Sequence, residues 1–186
     1  MNLGLKRGTV RIDKYNLEWK NEYLKEEKIL KNTLKDYNVD IEHIGSTFIV
    51  GCSAKPIIDI AIGVPSLEYG KQLIPLLQEI GWTYDGTADF GVRWFLKKCD
   101  GDIRTHFIHI EDINGRVWQN HIVFRDYLNT HPEKVKEYTN IKEQIETTYK
   151  DDRQGYAKIK DPFIEETIKQ ALKEWNIELA GEDYKI

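Results

Sequence analysis

The sequence predicts an α+β fold, in which a mixed β-sheet is flanked by helices and the C-terminal half is helical. Short apolar runs with the two-residue period of strands dominate the first 110 residues. Helical periodicity takes over from about residue 116. A length of 186 residues fits one domain, with a sheet-rich part at about 37–112 and a helical part at about 113–186.

The first half of the chain contains one long helix and two strands. A helix is predicted over residues 16–36, because their apolar side chains would fall near one face of it. Residues 39–44 predict a strand. Residues 56–64 predict a second, buried strand, because alternate side chains on one face are all aliphatic, namely Ile58, Ile60, Ile62 and Val64.

Turn and cap residues mark the ends of the predicted elements between residues 66 and 110. Ser66 offers a helix cap and Gly81 a stop, and Pro75 between them predicts a kink or a late helix start. Residues 91–98 and 103–110 predict an antiparallel pair, because the "CDGD" between them contains an Asp-Gly turn signal.

Three helices are predicted in the second half. One covers "VWQNHIVFRDYLN" at 117–129, and another follows Pro132. The last is predicted to begin at Asp161-Pro162, a pair suited to an N-cap and a first turn.

Composition and charge restrict the function classes. The net charge of −4 disfavours non-specific binding to nucleic acid, which depends on neutralising phosphates. No segment approaches the roughly 18 consecutive apolar residues of a membrane helix, and the N-terminus lacks a signal-peptide core. We expect a cytoplasmic protein that binds neither membranes nor nucleic acid. Its two cysteines, Cys52 and Cys99, are expected to be reduced, and Cys52 to be inert because no base partner is evident.

A single carboxylate interrupts the buried strand. Strand alternation places Asp59 opposite the aliphatic face, beside the small residues Ala61 and Gly63. A buried charge costs several kcal/mol unless it is paired, so Asp59 requires a partner. The candidates are Lys55, backbone N–H groups, a helix end or a metal ion.

A Gly-Ser turn ends the preceding strand. Gly45 allows backbone N–H groups to approach an anion, and Ser46 adds a hydroxyl group. Mg²⁺ prefers a carboxylate together with phosphate oxygens. These residues therefore indicate a phosphate site with Mg²⁺ on Asp59, although an ordinary turn beside a carboxylate neutralised by Lys55 explains the same pattern.

Other polar residues extend the candidate site. Arg104 and His106 share one strand face and His109 lies on the other, so only one of these faces is expected to line a pocket. Arg104 suits a phosphate or a surface salt bridge, and Lys55 suits a phosphate or Asp59. His43 is expected to be a hydrogen-bonded core histidine, with an acid–base role as the alternative.

Three motifs carry a family resemblance: "EHIGST" at 42–47, "AKPIIDI" at 54–60 and "FRDYL" at 124–128. In this order, together with late Tyr and Lys pairs, they resemble the GrpB (UPF0157) family over roughly residues 10–175. That family is assigned to the nucleotidyltransferase superfamily. The resemblance therefore implies a nucleotidyltransferase-like fold and transfer of a nucleotidyl or phosphoryl group to a small phosphorylated substrate.

When the superfamily motif is matched to this sequence residue by residue, the set of metal-binding carboxylates is incomplete. Gly45 and Ser46 match the turn and Asp59 the first acid, but the second acid falls on Ala61 and the predicted strand at 103–110 has none. Two-metal transfer needs several carboxylates. The resemblance also favours His109 as a site residue. It implies an anion pocket if Arg125, Lys142, Tyr156 and Lys160 cluster over the Gly-Ser turn, with solvated lysines on the helix surface as the alternative.

Arg125 precedes Asp126 on a predicted helix. Adjacent helix residues point in different directions, so we do not expect these two side chains to pair.

Two functional hypotheses follow. The first is a Mg²⁺-dependent enzyme in which Asp59, Ser46 and His109 are catalytic. The second is a metal-independent binding module for a nucleotide-like or CoA-like anion, the latter because family members occur fused to dephospho-CoA kinases. Its ligand-binding residues would be Gly45, Ser46, Lys55, Arg104, Arg125, Lys142 and Lys160. A third hypothesis is that the helical half forms a protein-interaction surface, but the sequence gives it no direct support.

Overall fold

A six-stranded mixed sheet forms the centre of the fold in this computed structural model, which describes residues 3–88, 91–149 and 152–179. The sheet order is β2-β3-β6-β5-β4, and β1 pairs with the start of β6. Within the described residues, β3 and β6 run parallel and the other pairs are antiparallel. The strands are β1 (Leu5–Lys6), β2 (Asp40–Ile44), β3 (Ile58–Val64), β4 (Thr83–Ala88), β5 (Arg93–Asp100) and β6 (Ile103–Asp112).

Helices cover both faces of this sheet. The first group is α1 (Glu18–Thr33), α2 (Leu67–Gly70) and α3 (Leu73–Glu79). The second group is α4 (Arg116–Thr130), α5 (Pro132–Glu146) and α6 (Arg153–Trp175), which confirms the helical C-terminal half. No helix in the described ranges is both long and apolar enough to cross a membrane.

The two faces of β3 have different roles, as the alternation predicts. Its aliphatic face is completely buried, and it packs against α1 and α3 through Trp19, Leu30, Leu73 and Leu77. The other face carries Asp59, Ala61 and Gly63. Ala61 is buried with Trp118 of α4, so small residues on this face allow the second group of helices to approach.

Most of the predicted elements are confirmed. The Ser66 hydroxyl accepts a hydrogen bond from the Tyr69 N–H at 3.2 Å and caps α2. Pro75 lies in the first turn of α3, where its missing N–H has no helical acceptor. Gly101 adopts φ +56° in the turn between β5 and β6. The sequence did not predict β1, which has two residues, or β4, whose polar, glycine-containing sequence lacks an apolar period.

The predicted start of the last helix is wrong. Asp161-Pro162 lies inside α6. The Asp152 carboxylate accepts a hydrogen bond from the Gly155 N–H at 2.9 Å, and the Asp152 carbonyl accepts one from the Tyr156 N–H at 3.0 Å. This earlier cap starts the helix, and burial of Tyr156 holds the first turns in place despite the hydrogen bond that Pro162 cannot donate.

The predicted faces of β6 also need a correction. Lys98 pairs with His106, but Cys99 pairs with Arg104, so Thr105 is the extra residue of a β-bulge. A bulge reverses the alternation of the residues beyond it. Arg104 therefore lines the same cavity as His109, whereas His106 packs edge-on against Trp82 on the opposite face.

Replacement of Gly63 by alanine tests the packing of α4 on the sheet. An added Cβ would lie 2.9 Å from Trp118 Cη2 and 3.2 Å from Ile113 Cγ1. We expect Gly63→Ala to lower the free energy of unfolding by about 1–3 kcal/mol, measured by urea denaturation. In a Trp118→Leu background most of this cost should disappear, because the indole ring is gone; an unchanged cost would contradict the packing.

Candidate functional site

A cavity of about 350 Å³ lies against the second face of the sheet. It is bounded by the loop that joins β2 to β3, by β3, β5 and β6, and by α5 and α6. Its wall combines basic, hydroxyl and aromatic side chains. The lining residues are Thr9, Ser46, Thr47, Ala54, Lys55, Ile57, Asp59, Arg93, Phe95, Arg104, Phe107, His109, Lys142, Tyr156 and Lys160.

The Gly45 turn lies directly against the Asp59 carboxylate. Gly45 adopts φ +70°, a backbone conformation that favours glycine. A Cβ on Gly45 would lie 2.8 Å from Asp59 Oδ2. Both the backbone conformation and the close approach therefore require glycine here, and Ser46 is carried into the cavity wall by the same turn.

Asp59 pairs with His109 across the parallel strands β3 and β6. His109 Nε2 lies 3.4 Å from Asp59 Oδ1. Burial raises the pKa of Asp59, but the His109 hydrogen bond and the charge of Lys55 together hold the pKa below its ordinary value. Burial and the nearby Arg93 lower the pKa of His109. The lowered pKa of Asp59 and the lowered pKa of His109 are both consistent with a neutral imidazole that donates through Nε2–H to an ionised carboxylate.

Basic side chains dominate the rest of the wall. The ammonium groups of Lys55 and Lys160 lie 4.4 Å and 4.7 Å from the ring centroid of Tyr156, whose side chain is buried. Arg104 is also buried, and its Nη2 donates to the carbonyl of Lys6 at 2.8 Å. Asp59 is the one carboxylate that lines the cavity within the described chain, against five basic residues. The local charge is therefore positive in a chain whose net charge is −4.

Lys142 reaches the cavity wall from α5 and contacts Cys52. Its Nζ donates to Cys52 Sγ at 3.0 Å and lies 4.1 Å from the ring centroid of Tyr138. Lys142 and Cys52 are both fully buried. Burial lowers the pKa of Lys142. The expectation that Cys52 has no base partner is therefore wrong, because the partner is 90 residues away in sequence.

Arg125 lies outside the cavity, contrary to its predicted place in the anion pocket. Its Nη1 donates to Glu42 Oε2 at 2.6 Å and to the His43 carbonyl at 3.1 Å. Its Nε donates to Asp126 Oδ1 at 2.7 Å, so the expectation that these neighbours do not pair is also wrong. The long arginine side chain turns back along the helix surface to reach its neighbour. Arg125 thus ties α4 to β2, next to the Gly45 turn.

His43 is a core histidine, as expected. It is buried, its ring stacks on Tyr23 at a centroid distance of 4.5 Å, and Nε2 lies 2.9 Å from Thr47 Oγ1. Burial lowers the pKa of His43 to about 3, so the ring is neutral near pH 7. Its contribution to the site is indirect, because Thr47 lines the cavity.

Glu111, His121 and Arg93 form a buried polar group that the sequence analysis missed. The Glu111 carboxylate is completely buried, 3.1 Å from His121 Nδ1 and 3.5 Å from Arg93 Nη1. β6 runs to Asp112, so Glu111 shares the face of His109. Extending the two-residue alternation past residue 110 would have found this acid, whereas no sequence signal connects it with His121.

The described part of the cavity wall offers a magnesium ion one carboxylate, that of Asp59. In the parts of the chain that the structure describes, no group of three or more His, Cys, Asp or Glu side chains is placed to hold a metal ion. Asp59 already accepts a hydrogen bond from His109, Glu111 is paired with His121, and Ala61 supplies no donor. The remaining charged side chains of the cavity wall are basic and supply no oxygen ligand, so further ligands to a metal ion would have to come from water or a bound phosphate.

Comparison with known proteins identifies relatives along nearly the whole chain. The sequence model of the GrpB protein family matches residues 9–170. The glutamate-rich protein GrpB of Alkalihalophilus pseudofirmus is 34% identical over 172 residues, which cover 90% of this chain and 99% of that protein. The UPF0157 protein YqkA of Bacillus subtilis is also 34% identical, over 89% of this chain but 48% of its own length.

Solved structures give the same picture of the fold. The crystal structure of the conserved protein GrpB from Enterococcus faecalis matches with a TM-score of 0.79 and 31% identity, covering 90% of this chain and 100% of that one. The Cid1 poly(U) polymerase bound to MgGTP matches with a TM-score of 0.51 and 14% identity, covering 70% of this chain and 42% of the polymerase. The second likeness shows the fold alone, and it confirms a nucleotidyltransferase-like architecture.

Gly51 provides a matched control for the Gly45 contact. Both glycines have positive φ in the same loop, but an added Cβ on Gly51 meets nothing within 4 Å. We expect Gly51→Ala to cost about 1–2 kcal/mol of stability through backbone strain alone, and Gly45→Ala to cost at least about 1 kcal/mol more. Chemical denaturation measures both, and equal losses would contradict close contact between Gly45 and Asp59.

The neutral state of His43 predicts a pH dependence of stability. The folded-state pKa lies below the unfolded value, so the unfolded chain takes up the proton first, and stability falls as the pH drops from about 6.5 toward 3. From pH 7 to pH 5 the wild type should lose about 2 kcal/mol more than His43→Gln, measured by urea denaturation. His106 and His109 also have lowered pKa values, but they contribute equally to the pH dependence of the wild type and of His43→Gln, so the difference between the two proteins reports on His43. Equal pH slopes would mean that His43 is not held neutral.

Proposed function

The chain belongs to the GrpB family, and we propose that its cavity binds a small phosphorylated ligand through basic side chains, without a metal ion. The observation that supports this proposal is the charge of the wall, where five basic residues surround one carboxylate. Even with Lys142 neutral and Arg93 balanced by Glu111, Lys55, Arg104 and Lys160 outnumber Asp59. A phosphate group is the small anion that such a set of ammonium and guanidinium groups recognises well.

The cavity also has an apolar side that indicates the rest of the ligand. Phe95 and Phe107 pack together at a ring centroid distance of 5.0 Å, and Ile57 lies beside them. A ligand that combines phosphate with a flat or apolar group would contact both sides. Nucleotide-like and CoA-like molecules have this combination, and the cavity volume lies at the lower end of the range for small-molecule sites, about 300–1,000 Å³.

Asp59 acts in this proposal as a fixed counter-charge. It offsets part of the positive charge of the cavity and holds His109 in one tautomer. Its side chain is 31% exposed, so it also has room to accept a hydroxyl group of the ligand. The Gly45 turn keeps the carboxylate in place by direct contact.

Transfer of a nucleotidyl or phosphoryl group is the second candidate. The observation in its favour is the carboxylate beside a Gly-Ser turn on a nucleotidyltransferase-like sheet, with Ser46 and His109 in the same cavity. In this case Asp59 would be a metal ligand. One carboxylate is too few for the two-metal mechanism of transfer, which is why we rank binding first.

The two candidates predict opposite effects of Asp59→Asn. If binding is metal-independent, removal of a negative charge from the cavity should tighten the binding of pyrophosphate, ATP or CoA by between about threefold and thirtyfold. If Asp59 holds a metal ion, the same change should abolish a binding signal that requires Mg²⁺. Calorimetric titration of both proteins, with Mg²⁺ and with a chelator, separates the two results.

Two lysines of α6 provide the control for the basic wall. Lys160 lines the cavity, whereas Lys158 is exposed and does not. We expect Lys160→Gln to weaken anion binding several-fold and Lys158→Gln, which changes the net charge equally, to leave it within about twofold. Equal effects would show non-specific attraction, and an absence of binding by any of the three compounds would contradict the proposed ligand class.

A further inference from the structure

We propose that Cys52 and Lys142 form an oxidative crosslinking site, in which a hydroperoxide joins the cysteine sulfur to the lysine nitrogen. The two atoms that would bond are 3.0 Å apart. Both side chains are fully buried, Cys52 in the loop before β3 and Lys142 on α5. Lys142 also lines the cavity, but the crosslink requires no ligand to be bound there.

The sulfur is held in place close to a surface that a small oxidant can reach. Cys52 Sγ accepts hydrogen bonds from Lys142 Nζ at 3.0 Å and from the Thr139 hydroxyl at 3.9 Å, and its own S–H donates to the Ser53 carbonyl at 3.7 Å. These contacts hold the sulfur in a fixed position beside the lysine nitrogen. Hydrogen peroxide is close to water in size, and Lys142 forms part of the cavity wall. The sulfur therefore lies one side chain behind a surface that a small oxidant can reach.

The surroundings of the nitrogen favour capture of the oxidised sulfur. The Cys52 sulfur attacks one peroxide oxygen, the O–O bond breaks, and the departing hydroxide takes the thiol proton, which yields a sulfenic acid and one water molecule. The lone pair of the Lys142 amine then attacks the sulfur, so that an S–N bond forms, the S–O bond breaks, and the departing hydroxide takes a proton from the nitrogen as a second water molecule. Sulfur is oxidised and peroxide is reduced. Burial lowers the pKa of Lys142, which favours the neutral amine that this step needs.

Competing reactions have poorer access to Cys52 than the lysine has. A second thiol would have to reach a fully buried sulfur, and Cys99 is exposed at the end of β5. Cys99 thus serves as an internal standard for oxidation of an ordinary thiol on the same chain.

The test uses the full-length reduced protein with Cys99 intact, treated with hydrogen peroxide and digested without reductant. Mass spectrometry should find the Cys52 peptide joined to the Lys142 peptide, lighter than their sum by two hydrogen atoms, as the major oxidised form of Cys52. Dithiothreitol should separate them. In Lys142→Arg, and in Lys142→Met if the arginine variant does not fold, the link should vanish and a sulfenic-acid probe should label Cys52.

Two results would overturn the proposal. One is oxidation of Cys99 in wild type while Cys52 remains a free thiol, which would mean that the pair is sealed from peroxide. The other is conversion of Cys52 to sulfinic acid at the same rate in wild type and in Lys142→Arg, which would mean that the amine does not capture the sulfur.

Discussion

The structure around the cavity depends on one constraint, the presence of a carboxylate on the inner face of the central strand. Asp59 lies on β3 beneath the β2–β3 loop, where water alone cannot solvate it on all sides. Three neighbours stabilise the carboxylate. His109 donates a hydrogen bond to it and Lys55 contributes an opposite charge. Gly45 has no Cβ, which would otherwise clash with Asp59. The cavity lies on the side of the sheet where β3 carries Asp59, Ala61 and Gly63, opposite its aliphatic face.

The sequence predicted those features of the cavity that depend on residues close to one another along the chain. Two-residue alternation assigned the faces of β3 correctly, and a buried charge demanded a partner, of which Lys55 was one candidate. The same alternation failed for Arg104 because a β-bulge at Thr105 is set by pairing with β5 and has no signature in β6 itself. The start of α6 was misplaced because tertiary burial of Tyr156 outweighed the local effect of Pro162.

Contacts between residues distant in sequence were the part that could not be predicted. The Cys52–Lys142 pair joins a loop of the sheet-rich part to α5, and Arg125 joins α4 to β2. Both lysine and arginine are long enough to reach several partners, so their residue type alone does not say which one they contact. The family resemblance placed Lys142 and Lys160 at the site but also placed Arg125 there, and only the geometry separates them.

We propose that basic side chains balance Asp59 and that an anionic ligand binds among them without a metal ion. A crystal structure of the protein with pyrophosphate and Mn²⁺, recorded with anomalous scattering at the manganese edge, tests this most directly. We predict phosphate oxygens in contact with Lys55, Arg104 or Lys160, and no anomalous peak at Asp59. A manganese ion bound to Asp59 that bridges to the phosphate would contradict the claim and establish the metal-dependent alternative.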